Sequence, residues 1–450
     1  MNNLLELEKL IDEKQFKLLR TGITDVNPVD IAALIEELPI EKAVVLFRVL
    51  PKDMASDVFA NLYHEIQQAL IERLSAKEIF EVMEELFLDD TVDFIEEIPA
   101  IIAKRVLAHV TSETRELINQ ILKYPDNSAG SIMTVEYVDL KRSLTVAQAF
   151  ERIRQVGIDK ETIYTCYVTD SERVLNGVIS VKTLLLAEPS EMVSDIMDTN
   201  IIFTHTDADR EEVVLLFDKY DLMNLPVMDS ENRLVGIITV DDIIDVVQEE
   251  ATEDFEKMAA MAPSDKPYLK TSVLELAKNR ITWLVVLMIA AMITGSIMAI
   301  YENAIEAMTL LVFFTPMLMN TGGNSGSQSS TMIIRGMALM EIMPRDFFRI
   351  IWKEMRVGLI AGTILAAINF IRVWITYRND EPAIIMVSVT ISAALLFTVI
   401  IANVIGGSMP IIAKKCRIDP AVMAAPLITT IVDALSLIVY FSLATMLLGI

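Results

Sequence analysis

Residues 426–450 read PLITTIVDALSLIVYFSLATMLLGI, and Asp433 is the one charge among them. About 20 apolar residues at 1.5 Å rise cross the hydrocarbon core of a bilayer, so this stretch is expected to be a membrane helix. An acid near the middle of such a helix costs roughly 2.5–3.5 kcal/mol on insertion scales, and by default it marks an ion or proton path. The plainer reading is an acid paired with a base, yet no Lys or Arg lies inside any apolar segment except near its ends. Four more apolar stretches precede it, at 281–300, 307–319, 357–374 and 383–412. The second is short, and Gly406, Gly407 and Pro410 are expected to bend the end of the fourth. Between the second and third lies TGGNSGSQSS (321–330). It reads as a break in the helix whose backbone needs a water-filled cavity, with Asn324, Ser327 and Gln328 lining a pore that Asp433 faces.

Charge sets the direction of these five spans. Lys270, Lys278 and Arg280 precede the first, Arg335, Arg345, Arg349, Lys353 and Arg356 separate the second and third, and Lys414, Lys415 and Arg417 separate the fourth and fifth. The opposite connections hold only Arg372 and Arg378, offset by Asp380 and Glu381, with Glu302 and Glu306. The positive-inside rule then places the front of the chain in the cytosol and the C-terminus outside. An odd number of spans gives a two-fold pore only with a second chain, so a homodimer in the cell (inner) membrane is expected.

The 450 residues carry a net charge of −25, yet residues 271–450 hold 12 Lys and Arg against 10 Asp and Glu. The acidity therefore belongs to the front, which repels phosphate, excludes nucleic acid as a partner and suits cations. No apolar signal segment follows Met1. Cys166 and Cys416 stand in different parts of the chain without metal-ligand spacing, so reduced thiols are expected. His64, His109 and His205 all lie in the front, which excludes a His-Glu-x-x-His membrane metalloprotease. No enzyme is expected.

Residues 1–129 show helical patterning only, and Leu38, Leu50, Leu62, Leu74, Leu86 and Ile98 recur every 12 residues. That period predicts short helices stacked as a superhelix, two per 24 residues. Its densest acidic cluster is Asp89, Asp90, Asp93, Glu96 and Glu97. Asp89 and Asp93 are i, i+4 neighbours and repel unless a cation or basic partner intervenes; a solvated surface is the plainer account. From residue 130 to 245 strands alternate with helices, and VTDSERVLNGVISV (168–181) returns as VMDSENRLVGIITV (227–240). Ser131-Ile132-Met133 and Asp195-Ile196-Met197 open the two copies of this hairpin-plus-helix module. The duplication resembles a tandem pair of CBS domains. In that family a Gly-x-x-Thr-x-x-Asp pattern holds an adenine nucleotide, which here implies ATP at Gly236, Thr239 and Asp242, while the first copy has Thr183 in place of the acid. From Asp241 one acidic helix is expected to run to Ala262, ended by Pro263 and Pro267, so that residues 246–270 connect the front to a membrane domain at 271–450.

The residues alone thus describe a multidomain, dimeric cation channel or carrier with an acidic front able to sense a divalent ion. Magnesium fits few acids because it keeps several waters. At this point the whole chain resembles the MgtE family of magnesium transporters, on TGGNSGSQSSTMIIRG (321–336), Ile418-Asp419-Pro420-Ala421, PLITTIVDALSLIVYF (426–441) and EEATEDFEKM (249–258). The resemblance implies an all-α N domain, a CBS pair, a connecting helix, five spans, and Mg2+ influx closed by cytosolic Mg2+. It puts the hydrated ion on Asp433, with Asp419 near the cytosolic mouth. It puts the sensing ions on Asp57, Asp89, Asp93, Asp209, Glu211, Asp221, Asp242, Asp245, Glu250, Glu253 and Asp254. Some relatives carry Asn at the positions of Ser327 and Ala425 beside the pore acid. Transport of Co2+ or Mn2+, or a membrane sensor that transports nothing, are the alternatives.

Overall fold

The computed structural model describes residue 7 and residues 9–264, 268–269, 271–378, 384–423 and 425–449. Pro267, Lys270, Asp380, Glu381, Ala383, Ile450 and the side chain of Glu97 lie outside the described residues. The chain divides into two compact units at Val247/Gln248.

In the first unit, helices of the front run Phe16–Ile23 (α1), Pro28–Glu37 (α2), Ile40–Val49 (α3), Lys52–Ala60 (α4), His64–Arg73 (α5), Ala76–Glu85 (α6), Leu88–Glu97 (α7), Ala100–Leu107 (α8) and Ser112–Ile121 (α9). From α2 to α8 each helix starts 12 residues after the last. The recurrent Leu38, Leu50, Leu74, Leu86 and Ile98 are the residues that leave these helices in extended conformation. Each therefore stops a helix after about three turns and drops an apolar side chain into the core. Helices pack on the next but one, α2 on α4, α4 on α6 and α3 on α5. Phe59 meets Phe47 and Phe94 edge-on at 6.2 and 5.1 Å, an arrangement each worth about 0.5–1.5 kcal/mol beyond burial.

The repeat that follows builds two three-stranded sheets. The first comprises Val138–Lys141 (β1), Thr165–Thr169 (β2) and Leu175–Ser180 (β3), with Val146–Val156 (α10) between β1 and β2, and Val181–Leu186 (α11) after β3. A short helix, Val193–Ile196 (α12), leads to the second sheet: Thr204–His205 (β4), Asn224–Met228 (β5) and Leu234–Thr239 (β6), with Arg210–Tyr220 (α13) inside and Val240–Met258 (α14) after. In each, the first strand is parallel to the second, and the second and third form a hairpin that shifts register at the matching place, Val168/Thr169 and Val227/Met228.

One expectation is corrected here. The segments that open the two copies in sequence exchange places in space. Met133 packs on Gly236 of the second hairpin, and Met197 on Gly177 of the first: a Cβ at Gly236 would stand 2.7 Å from Met133 Sδ, and one at Gly177 2.6 Å from Met197 Sδ. Backbone bridges Thr134↔Ile237 and Val178↔Asp198 lock the exchange. Only glycine admits the thioether so close to a strand. Cys166 is buried in the first sheet, which pushes its thiol up to about 12, and Cys416 is exposed; both are free.

The α14 helix ends four residues before the expected Ala262. Ala260 turns left-handed at φ 54°, and Met261 N–H donates back to Glu256 O at 2.9 Å, so a Schellman-type turn closes the helix ahead of Pro263.

The second unit is helical: Val273–Ile300 (α15), Glu302–Ala307 (α16), Thr315–Ala338 (α17), Phe347–Tyr377 (α18), Ile384–Lys415 (α19) and Ala425–Leu448 (α20). Four of these, α15, α18, α19 and α20, are long and apolar enough to cross a membrane. The expected break at 320–335 is absent. TGGNSGSQSS lies inside α17, an uninterrupted helix of 24 residues, about 36 Å long. Glycine's poor helix propensity is overridden by packing, because small residues let α17 meet α19 backbone to backbone and take α20 side chains against its own backbone. A Cβ at Gly406 of α19 would run into the Gly326 carbonyl of α17, and one at Gly322 would stand 2.7 Å from Thr398 Cγ2. Pro410 lies inside α19, five residues before its end.

Candidate functional site: an ion path and a carboxylate cluster

Three positions on one face of α20, Ala425, Thr429 and Asp433, follow one another at i, i+4 and i+8. Asp433 is half-buried, and its Oδ1 is out of contact with solvent and has no hydrogen-bond partner among the described residues. Thr429 donates to the Ala425 carbonyl at 2.7 Å, and its hydroxyl lies 3.5 Å from Ser327 Oγ on α17. The close approach of the helices depends on Gly323, where a Cβ would stand 2.7 Å from Thr429 Cγ2. Beside this edge, Asn320, Asn324, Gln328 and Thr331 form an exposed polar stripe at i, i+4, i+8 and i+11 of α17. The stripe is what a helix inside an apolar bundle carries when it borders water. The opposite face is fixed by small polar contacts: Ser325 Oγ to the Asn403 amide at 2.7 Å, Ser329 Oγ donating to Glu354 at 2.8 Å, and Ser330 Oγ donating to Met423 O at 2.8 Å.

Asp419 precedes a short turn, Pro420–Met423, that leads into α20. One carboxylate oxygen accepts from Ala421 N–H at 2.8 Å, and the other lies 2.6 Å from Lys257 Nζ on α14. Lys257 also pairs with Glu253, four residues back, at 2.6 Å. Burial alone would lower this ammonium's pKa, but Asp419 and Glu253 hold it above its ordinary value. Asp254 is raised by desolvation and by the charge of Asp419. Of the expected sensing acids, the structure gathers Glu253 and Asp254 around Asp419, and it adds a lysine that the sequence reading passed over. The i, i+4 spacing of Glu253 and Lys257 was its signal.

The second gathering lies in the first unit. Asp89 is buried at the start of α7, and its Oδ1 accepts from Asp90 N–H at 3.0 Å. Around it stand Asp90, Glu136, Glu161 and Asp242. Glu136 accepts from Leu88 N–H at 3.1 Å and from Thr134 Oγ1 at 2.8 Å, so it caps α7 from the strand module. Asp242 caps α14, accepting from the N–H and hydroxyl of Thr239. Desolvation first, and mutual repulsion second, push Asp90 up to about 7 and Glu161 up to about 8, and Asp89 rises well above the carboxylate range. Desolvation raises Asp242 to about 6 against the lowering pull of Thr239. Asp57 borders the group, raised by desolvation and by Asp53, and Asp245 by desolvation and Asp241.

Asp89 and Asp93 differ in surroundings. Asp93 is exposed while Asp89 turns inward, where it meets Glu136 and Glu161 of the strand module, which no periodicity of the front could indicate. Asp209 and Glu211 sit at the start of α13, with Asp209 accepting from Glu211 N–H at 2.8 Å, and Asp221 closes its far end at φ 50°. Opposite ends of an 11-residue helix are about 16 Å apart, so one chain does not bring these three together. Glu250 is half-buried on α14. Among the described residues no three His, Cys, Asp or Glu side chains converge with the geometry of a bare metal site.

Comparison with known proteins bears directly on these two gatherings. The chain is 36% identical over 448 residues to the magnesium transporter MgtE of Thermus thermophilus, covering 99% of this chain and 98% of that protein. The chain belongs to the MgtE family. The MgtE of Bacillus subtilis is 32% identical over 98% of this chain and 96% of its own length. Family models match as a divalent cation transporter at 315–443, an MgtE intracellular N domain at 26–127 and a CBS domain at 193–249. The first of these spans α17 to α20, with Asp419 and Asp433. Two solved structures match the front: the cytosolic domain of an Mg2+ channel MgtE in complex with ATP, 36% identical with a TM-score of 0.52 over 54% of this chain and 99% of that one, and the soluble part of a magnesium transporter, 27% identical with a TM-score of 0.53 over 56% and 98%. This MgtE chain therefore combines the intracellular N domain, the CBS pair and a helical membrane domain.

Proposed function

We propose that the protein carries magnesium into the cytosol down its electrochemical gradient, as a homodimer, and that cytosolic magnesium closes it. The observation that carries this reading is Asp433: an acid in the middle of an apolar helix, one turn above Thr429, beside the polar stripe of α17 and without a partner for Oδ1 among the described residues. Two copies facing across a dimer axis would hold a hydrated divalent ion through its waters. In this reading α17 is the fifth crossing, its polar stripe borders the ion path, and the C-terminus lies outside. An inside-negative membrane draws in a divalent ion with about 4.6 kcal/mol at 100 mV, so no other energy source is required.

Residues 1–129, 130–245, 246–270 and 271–450 are the N domain, CBS pair, connecting segment and pore domain of this reading. Cytosolic magnesium would neutralise two groups of acids, Asp57, Asp89 and Asp242 in the front, and Glu253 and Asp254 of the connecting segment with Asp419 of the pore domain. It closes the path by as much as it prefers the gathered state. An adenine nucleotide on the second CBS copy, with Asp242 at its ribose, is supported by the relative whose cytosolic domain is solved with ATP. The test is magnesium entry into vesicles holding the purified chain. Asp433→Ala should abolish it, and entry at the unmutated rate would sink the assignment. Competition by Co2+, Mn2+ or Ca2+ in the same vesicles separates the selectivities, and no flux from the unmutated chain would leave a sensor.

A further inference from the structure

The start of α18 carries a surface that ion transport does not use. Arg349, Lys353 and Arg356 lie on one face of the helix, at i, i+4 and i+7, and Arg345 stands in the turn just before it; all four are exposed. Phe348 and Trp352 run alongside, 82% and 57% exposed. The Arg356 guanidinium lies 5.8 Å from the centre of the Trp352 ring. None of the four cations has a carboxylate within 4 Å among the described residues. The two nearest acids in sequence are engaged elsewhere, Asp346 accepting from Met343 N–H and Glu354 from Ser329 on the inner side.

The position of this face along the helix says what it meets. α18 has 31 residues, about 46 Å, against a hydrocarbon core of about 30 Å. Further along the same outward face stand Leu359, Ile360, Thr363 and Ala367, all exposed, with Leu359 at 50% and Ile360 at 65%. One face thus passes from an aliphatic stretch to one where cations and aromatic rings interleave, as on going from acyl chains into the interface and headgroups. Lys414 and Lys415 end α19 at the same end of the bundle, where Ile411 packs with Ile350 and Phe347.

We propose that this face is a docking site for anionic phospholipid headgroups, with the four cations taking the phosphates and Phe348 and Trp352 set between them in the interface. The full chain in detergent would be titrated with phosphatidylglycerol or with phosphatidylcholine, and bound lipid counted by native mass spectrometry. The unmutated chain should retain phosphatidylglycerol with about a tenfold preference. R345Q/R349Q/K353Q/R356Q should lose that preference, while the charge-conserving R345K/R349K/R356K should keep it. An unchanged preference in the glutamine variant overturns the proposal. So does cross-linking of Trp352→Cys to a second copy in native membranes, because the face would then be covered by protein. Thermal unfolding of the glutamine variant should match the unmutated chain, since none of the four side chains is buried.

Discussion

Raising the pH should loosen the join between α7 and the strand module, and magnesium should restore it. Asp90 and Glu161 titrate at about 7 and about 8 in the gathered cluster, against 3.8 and 4.5 for the same groups in ordinary surroundings. Because these pKa values are raised, the gathered state binds more protons than the opened one. The stabilisation from each group is complete below its ordinary pKa and is lost as the pH climbs through the raised one. One group of this kind changes stability by at most about 1.4 kcal/mol per pH unit. Asp90, the better buried of the two, sets that ceiling, and Glu161 adds less because solvent reaches it. Facing them are Asp89 on α7, Asp57 on α4, Glu136 before β1, and Asp241 and Asp242 on α14, with no basic residue among the causes that shift Asp89, Asp90 or Glu161. Hydrogen exchange on the full chain, corrected for intrinsic rates, would follow the amides of α7 and the first turns of α14. Their protection should fall between about pH 5 and about pH 8 without magnesium, and hold with millimolar magnesium. Asp90→Asn should flatten the profile. Protection that stays constant or rises with pH would refute the reasoning.

Two glycines should respond to alanine with opposite signs. At Gly406 the new methyl meets the Gly326 carbonyl and must part α17 from α19, an overpacking that costs about 1–3 kcal/mol. At Gly295 of α15 nothing lies within 4 Å, so alanine should gain about 0.5–1 kcal/mol from helix propensity; thermal unfolding of both variants in one detergent checks the pair. Lys257→Met leaves Glu253 and Asp419 without their shared cation, and the magnesium concentration that half-closes transport should rise about two- to fivefold, as for a partly exposed ion pair; flux against internal magnesium measures it. Asp433→Asn keeps the shape of the side chain and removes its charge, so magnesium entry into vesicles should fall further than on Ser327→Ala measured alongside it.

The front was legible because apolar residues at a fixed period, Leu38 through Ile98, close most of its helices and reach the core. Asp433 was legible because a charge in an apolar helix needs a reason. The glycine and serine run was read as a break for a physical cause: propensity is local, while Gly322, Gly323 and Gly326 answer to Thr398, Thr429 and Ile428, which lie about 70 to 110 residues further on. The carboxylate cluster was half visible, since Asp89 and Asp242 stood out, but Glu136 and Glu161 sit in the strand module without any pattern of their own. Lys257 was hidden by its surroundings, one base in a helix counted for its acids.

The exchange of Met133 and Met197 between the two sheets bears on the ancestry of the strand module. A single copy would lack the methionine that covers its own hairpin glycine, and it could obtain one only from another molecule. An ancestor with one copy would then have been a reciprocal pair of chains, and gene duplication joined two molecules already interlocked. Cutting the chain between Ala187 and Val193 should not yield two independent halves, because each fragment would bear a thioether shaped for the other's glycine.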